Sequence, residues 1–154
     1  MVIAEVLQHT SPELFLSDLK ARNKPGVLSE LVDKLVAGSP NITKRDAVLQ
    51  MLESREALGS TAVGPGVAFP HGRTLAVQRL TVLIARSRKG VDFDSVDGEP
   101  THLFFVLIAP PQDSGHKYIK SLAALTEKLQ DANLRKTLLA AEDFATFCAA
   151  LRED

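Results

Sequence analysis

The chain has 154 residues, of which 45% are hydrophobic and 24% charged, and its formal net charge is −1. That length suits one domain with a sizeable core rather than two, and the near-zero charge excludes a broad basic field for nucleic acid or anionic lipid. The lone Cys148 excludes an internal disulfide, no Cys/His spacing suits a structural zinc site, and neither a bilayer span nor a secretory leader is apparent, so a soluble cytoplasmic protein without direct membrane insertion is expected.

Residues 1–22 predict a short helix or turn and a strand. Ser11-Pro12-Glu13 reads as a helix start or turn, with Ser11 as cap and Pro12 at the first position. Leu14-Phe15-Leu16 fits either helix or strand. From Lys24 onward Val27, Leu28, Leu31, Val32, Leu35 and Val36 recur at helical spacing, and Gly38-Ser39-Pro40 ends the run. Thr43, with Asp46 three residues on, predicts the cap of a second helix. Ala47, Val48, Met51 and Leu52 form its buried stripe, and Leu58-Gly59 closes it.

The next stretch, Gly64-Pro65-Gly66-Val67-Ala68-Phe69-Pro70-His71-Gly72, holds three glycines, two prolines and one histidine. Pro70 fixes the backbone just before His71. Gly72 removes side-chain bulk just after it. The pattern predicts an imidazole held on a stiff turn at the end of an extended segment, with open space beside it. An ordinary strand-end turn has the same composition.

Arg79 to Ser87 predicts a largely buried strand. The acidic, turn-rich segment 90–100 carries Asp92, Asp94 and Asp97, but not the glycine and glutamate placement of a calcium loop, so no metal is expected there. His102 to Ala109 is a continuous apolar run that fits a central strand buried on both faces. His102 at its start reads as a strand-edge residue. After Pro110-Pro111, Asp113 or Ser114 can cap a helix. Tyr118, Leu122, Leu125 and Leu129 carry that helix to about Gln130. Leu134 and Leu138 mark a short helix, and Phe144, Phe147, Cys148 and Leu151 the last one. Helices that separate and follow apolar strands predict an α/β layer fold.

Taken from Ser54, the segment Ser54-Arg55-Glu56-Ala57-Leu58-Gly59-Ser60-Thr61-Ala62-Val63 and the His71 turn together resemble a known active-site region. It is that of the type-2 EIIA domains of the bacterial phosphoenolpyruvate-dependent phosphotransferase system, the fructose/mannitol and nitrogen-regulatory group. In that family an Arg-Glu pair, a Gly-Ser-Thr and a Pro-His-Gly follow one another at this spacing. The resemblance runs from roughly the first helix to the C-terminus. It implies a single EIIA type-2-like domain over 1–154, of α/β class, with a small mixed β-sheet flanked by helices on both faces.

The resemblance makes His71 the phosphoryl acceptor and brings Arg55 to the phosphoryl group. By residue type alone, an arginine near a helix end is a solvated partner of the helix dipole. Its planar fork also suits two phosphate oxygens. Glu56, next to it, would orient the arginine. Ser60 and Thr61 would supply hydroxyl and backbone donors, although the same pair reads equally as a plain strand start. Many family members place a second histidine at the start of the helix after the Leu-Ile-Ala-Pro strand. The leucine pattern puts that position at Tyr118, with His116 two residues earlier. Two residues turn a helix by about 200°, so His116 and Tyr118 cannot both face His71 from within it. A later helix start lets His116 swing toward His71, while Tyr118 can act as a neutral donor or as the end of the core stripe.

The implied function is a phosphocarrier. His71 accepts a phosphoryl group from an HPr-like carrier docked on an apolar patch that includes Phe69. It then passes the group to an EIIB-type acceptor in sugar transport, or uses it as a signal to a regulated protein, as in nitrogen regulation. No cofactor is implied. The absence of a glycine-rich nucleotide loop with a lysine argues against direct use of ATP. The alternative is a non-catalytic regulatory module that keeps the EIIA fold and binds partners regardless of phosphorylation. A hydrolase with His71 as general base would need a carboxylate or nucleophile that the turn lacks.

Overall fold

The computed structural model describes residues 2–153, so the ends of the expected domain, Met1 and Asp154, lie outside the described residues, as does the side chain of the candidate cap Ser114. Among the described residues five strands form one sheet: β1 (Phe15–Leu16), β2 (Val67–Ala68), β3 (His71–Arg73), β4 (Thr81–Val91) and β5 (Thr101–Ala109). β5 is its axis. It runs antiparallel to β4 on one side, and parallel to β2 and β3 on the other. β1 lies parallel to β4 at the far edge. The sheet is mixed.

The period of the strand explains the layers. Leu103, Phe105, Leu107 and Ala109 join the core on one face, and Phe104, Val106 and Ile108 the core on the other. All are buried, which is why β5 reads as an unbroken apolar run. Helices α2 (Lys24–Gly38) and α3 (Arg45–Ala57) cover the Phe104 face with Val27, Leu31, Leu35, Val48 and Leu52. The short α1 (Ile3–Val6), with α4 (Lys117–Lys128), α5 (Ala132–Ala140) and α6 (Phe144–Arg152), covers the Phe105 face. None of these helices is long and apolar enough to cross a membrane.

α2 starts where its pattern predicts. The Asn23 side chain accepts from the Gly26 amide at 2.9 Å, and Pro25 occupies the first turn, where its missing N–H is not needed. The cap expected at Thr43 is not formed. α3 begins at Arg45 behind Lys44, which sits in the left-handed region at φ 56 without a side-chain cap. Thr43 donates instead to the Ala76 carbonyl, from its amide at 2.9 Å and its hydroxyl at 3.4 Å. A tertiary acceptor has taken the hydroxyl that a local cap would use. The open reading of Leu14-Phe15-Leu16 resolves into both forms, a 3₁₀ turn over Pro12–Leu14 and then β1. β4 starts two residues later than Arg79 and continues past Ser87 to Val91 through an irregularity after Arg86. His102 holds the hairpin edge, with Nδ1 2.8 Å from the Ser87 carbonyl.

Candidate active site

β2 and β3 act as one interrupted strand. Val67 pairs with Leu103 and His71 with Leu107, so the register survives the Phe69-Pro70 interruption. Pro70 has no N–H to give, but its carbonyl accepts from Leu107 at 3.0 Å, and the Phe69 amide turns away to Thr61 O at 3.0 Å. The Phe69 carbonyl is left to meet His71 Nδ1 at 2.6 Å. A carbonyl can only accept, which assigns the ring proton to Nδ1 and leaves a lone pair on Nε2. Burial pushes the His71 pKa below 6.5; the Phe69 bond opposes that, the Arg55 charge adds to it, and Glu56 opposes it. The ring is therefore neutral at pH 7.

The space expected beside Gly72 is filled. A side chain there would run into the thioether of Met51 from α3. The flexible Met51 side chain fills the space that the missing Cβ leaves, so a larger residue there must displace it. The opening lies on the other side of His71, in a cavity of about 550 Å³ walled by Arg55, Ser60, Thr61, Phe69, His71 and Asp97.

Arg55 is half-buried at the end of α3 and donates from Nη1 to the Gly59 carbonyl at 2.8 Å. Among the described residues it has no carboxylate partner, so the rest of its fork is uncommitted. Glu56 does not orient it. The Glu56 carboxylate is buried and accepts from the Thr61 amide at 3.1 Å, from the Thr61 hydroxyl, and from Lys24 Nζ at 2.9 Å. Ser60 Oγ donates to Phe93 O at 2.7 Å and accepts from Ala62 N at 3.0 Å. Both hydroxyl protons are thus directed into the fold, and Ser60 and Thr61 meet the cavity as a hydrogen-bonded wall.

From the far side, α4 brings Tyr118 to His71, with ring centroids 6.0 Å apart. Tyr118 is buried, its amide held by Asp113 Oδ2 at 2.6 Å. Burial pushes its pKa up to about 12, against the charges of Arg73 and Arg55. The phenol therefore stays protonated. His116 is exposed at the entrance to α4, in the left-handed region at φ 56, and points its backbone amide at Asp113 O, 3.2 Å away.

The chain and its fold have known relatives. The profile of the family described as "Phosphoenolpyruvate-dependent sugar phosphotransferase system, EIIA 2" matches residues 8–154. The chain belongs to this EIIA family. It is 39% identical over 133 residues to a nitrogen regulatory protein of Bradyrhizobium diazoefficiens, covering 86% of this chain and 85% of that one. It is 34% identical over 153 residues to a fructose-specific EIIA component of Haloferax volcanii, covering 99% and 98%. The crystal structure of nitrogen regulatory protein IIA-Ntr from Neisseria meningitidis superposes with a TM-score of 0.87 at 28% identity, over 96% of this chain and 99% of that one. The fold is shared by Escherichia coli enzyme IIAMtl, solved in complex with phosphorylated enzyme IIBMtl (TM-score 0.75, 22% identity, 92% and 95% covered).

This EIIA chain has site neighbours that its sequence reading passed over. Arg73 lays its guanidinium 4.6 Å from the Tyr118 ring centroid and donates to Pro110 O at 3.2 Å. Strand alternation was the available signal, because residues i and i+2 on β3 share a face with His71. Asp97 borders the cavity from the 90–100 loop, its carboxylate held by Ser95 Oγ at 2.7 Å and Glu99 N at 3.0 Å, bonds that lower its pKa. Nothing in its local sequence marks it, since its place depends on how the loop folds back over Gly64.

Proposed function

We propose that His71 is the phosphoryl acceptor of this EIIA phosphocarrier and that Nε2 is the atom that bonds to phosphorus. The observation that carries this reading is the Nδ1–H to Phe69 O bond, which leaves the Nε2 lone pair on a neutral ring. An HPr-like phosphocarrier presents a phosphohistidine. As the His71 Nε2–P bond forms, the donor N–P bond breaks and its electron pair returns to the donor imidazole. His71 keeps its Nδ1 proton and becomes a phosphoimidazolium. Its bond to Phe69 O strengthens as the ring gains positive charge. Arg55 holds the equatorial oxygens with the free part of its fork. Tyr118 adds a neutral O–H donor from the opposite side, and Ser60 and Thr61 frame the pocket and fix its width. Transfer between two imidazoles needs no cofactor.

The group then passes to an EIIB-type acceptor or serves as a signal to a regulated protein. The IIAMtl–IIBMtl complex supports the first route and the nitrogen regulatory relatives the second. The reading takes 1–154 as a single EIIA domain acting in the cytoplasm. Exposed Leu58, Val63, Leu75 and Ile119 supply apolar surface for docking. The names of the nitrogen regulatory relatives also favour a second reading, a module that binds partners whatever its phosphorylation state.

The test is intact mass after incubation with phosphoenolpyruvate, enzyme I and an HPr-type carrier, at mildly alkaline pH. One phosphate, lost in His71→Ala and kept in His116→Ala, is expected. No phosphate from a cognate carrier pair leaves the partner-binding module.

A further inference from the structure

A second cavity, of about 460 Å³, opens between the N-terminal 3₁₀ turns and the start of β4. It shares no lining residue with the His71 cavity. Its floor is polar and buried, with Ser39 5%, Asn41 4% and Thr81 3% exposed. Asn41 is fully committed to holding that floor. Its amide nitrogen donates to Ser39 Oγ at 2.5 Å and Thr81 Oγ1 at 3.1 Å, and its carbonyl accepts from the Gln78 and Arg79 amides at 3.0 and 3.3 Å. The Thr81 hydroxyl donates to Arg79 O at 3.0 Å.

Two hydroxyls in this wall are not so committed. Ser39 accepts from Asn41, but among the described residues its own proton has no acceptor. Thr10 Oγ1 is buried and has no hydrogen-bond partner there at all. A buried polar atom without a partner is uncommon in a folded protein and costly where it has no compensating ligand.

The rim is cationic. His9 and Arg79 line both this cavity and an adjoining groove that also contains Lys117 and Asp113. Burial pushes the His9 pKa below 6.5, Lys117 and Arg79 adding to that and Asp113 opposing it, so His9 is a neutral imidazole at pH 7 and the fixed cations here are Arg79 and Lys117. Among the described residues neither Arg79 nor Lys117 makes an ion pair. Asp113, the one carboxylate here, already accepts from the Tyr118 amide at 2.6 Å.

We propose that this cavity binds a small hydroxylated phosphomonoester. The phosphate sits between the Arg79 and Lys117 charges with the neutral His9 ring as a further hydrogen-bonding group, and the hydroxyls of the ester meet Ser39 and, once its hydroxyl turns into the cavity, Thr10. Converging cations suit a dianion better than a neutral polyol. The two uncommitted hydroxyls suit the polyol part, because they donate and accept over a short span. The cavity is within the size range of small-molecule sites.

The probes are ribose 5-phosphate and inorganic phosphate, titrated into the full-length ¹⁵N-labelled protein while amide shifts are followed. Ribose 5-phosphate is expected to move the Thr10, Ser39 and Arg79 amides saturably, with a dissociation constant of about 1 mM or tighter. Arg79→Gln, on an exposed side chain, is expected to weaken binding about tenfold. Thr10→Val, which keeps the shape and removes the hydroxyl, weakens it by a smaller factor. His71→Ala leaves it unchanged. No saturable shift at these residues overturns the proposal. So do shifts centred on Arg55 and His71 that survive Arg79→Gln, and so does equal affinity for inorganic phosphate and the ester.

Discussion

Two arginines in this chain show opposite ways of holding a cation. Arg86, inside β4, is fully buried, and every nitrogen of its guanidinium donates to an acceptor of the fold. Nε donates to Ser17 O at 2.9 Å, Nη1 to Leu138 O at 2.8 Å and Ala141 O at 2.5 Å, and Nη2 to Ser17 Oγ at 3.2 Å. It gathers the carbonyls left unpaired at the end of α5 and ties them to the loop after β1, with Phe15 and Phe147 packed against it. Arg55 ends a helix too, yet it has one bond, to Gly59 O, and the rest of its fork faces a cavity beside a neutral imidazole. Donors already matched make structure. Donors left free beside a lone pair make a site.

The comparison breaks most visibly at Arg86. Arg86→Ala should lower stability by about 3–5 kcal/mol, because buried carbonyls lose a charged donor and a cavity opens. Urea denaturation measures this, and the fraction that remains folded should still take up phosphate at the normal rate. Arg55→Gln should do the reverse. Phosphoryl transfer to His71 should fall about 100-fold in stopped quench kinetics, the scale of losing one charged oxygen-binding group. Stability should change by about 1 kcal/mol or less, as for a surface helix-end charge.

The pH profile sharpens the same point. The folded pKa of His71 lies below the ordinary 6.5, so the unfolded chain binds that proton more tightly. Stability from the neutral ring is fully present above pH 6.5 and declines as the pH falls through 6.5 toward the lowered value. The acceptor rate should hold through neutrality and fall only below 6.5. In Arg55→Gln the inflection should move upward, since one cause of the depression is gone.

Gly72→Ala should cost about 1–3 kcal/mol through overpacking against Met51, and Met51→Ala in the same chain should recover much of it. Tyr118→Phe should have the smallest effect. The ring contact with His71 remains, and transfer slows by about tenfold or less for one neutral hydrogen bond.

Much of this was legible in the chain itself. The apolar stripe of α2, the Val48 and Leu52 part of the α3 stripe, and the run from Leu103 to Ala109 depend on period and burial, which local sequence carries, whereas Ala47, read into the α3 stripe, is exposed and Met51 only half-buried. The pairing of Arg55 with His71 was implied by the family resemblance of the segments that carry them, and both residues line one cavity. What escaped depends on tertiary choices. Thr43 looks like a helix cap until Ala76 O comes within reach. Gly72 implies room until Met51 takes it. Glu56 looks like a partner for Arg55 until Lys24, thirty-two residues away, claims it. Arg86 did carry a signal, a charge inside an otherwise apolar strand, but its acceptors lie 52 and more residues off.

The most direct test of the central claim is the site of the phosphorus. Protein labelled with ¹⁵N-histidine, phosphorylated through enzyme I and an HPr-type carrier, would be read by ¹⁵N–³¹P correlation. Phosphorus on Nε2 of His71, with the Nδ1 proton retained, is the expected result. Phosphorus on Nδ1, or on any residue other than His71, would contradict the account.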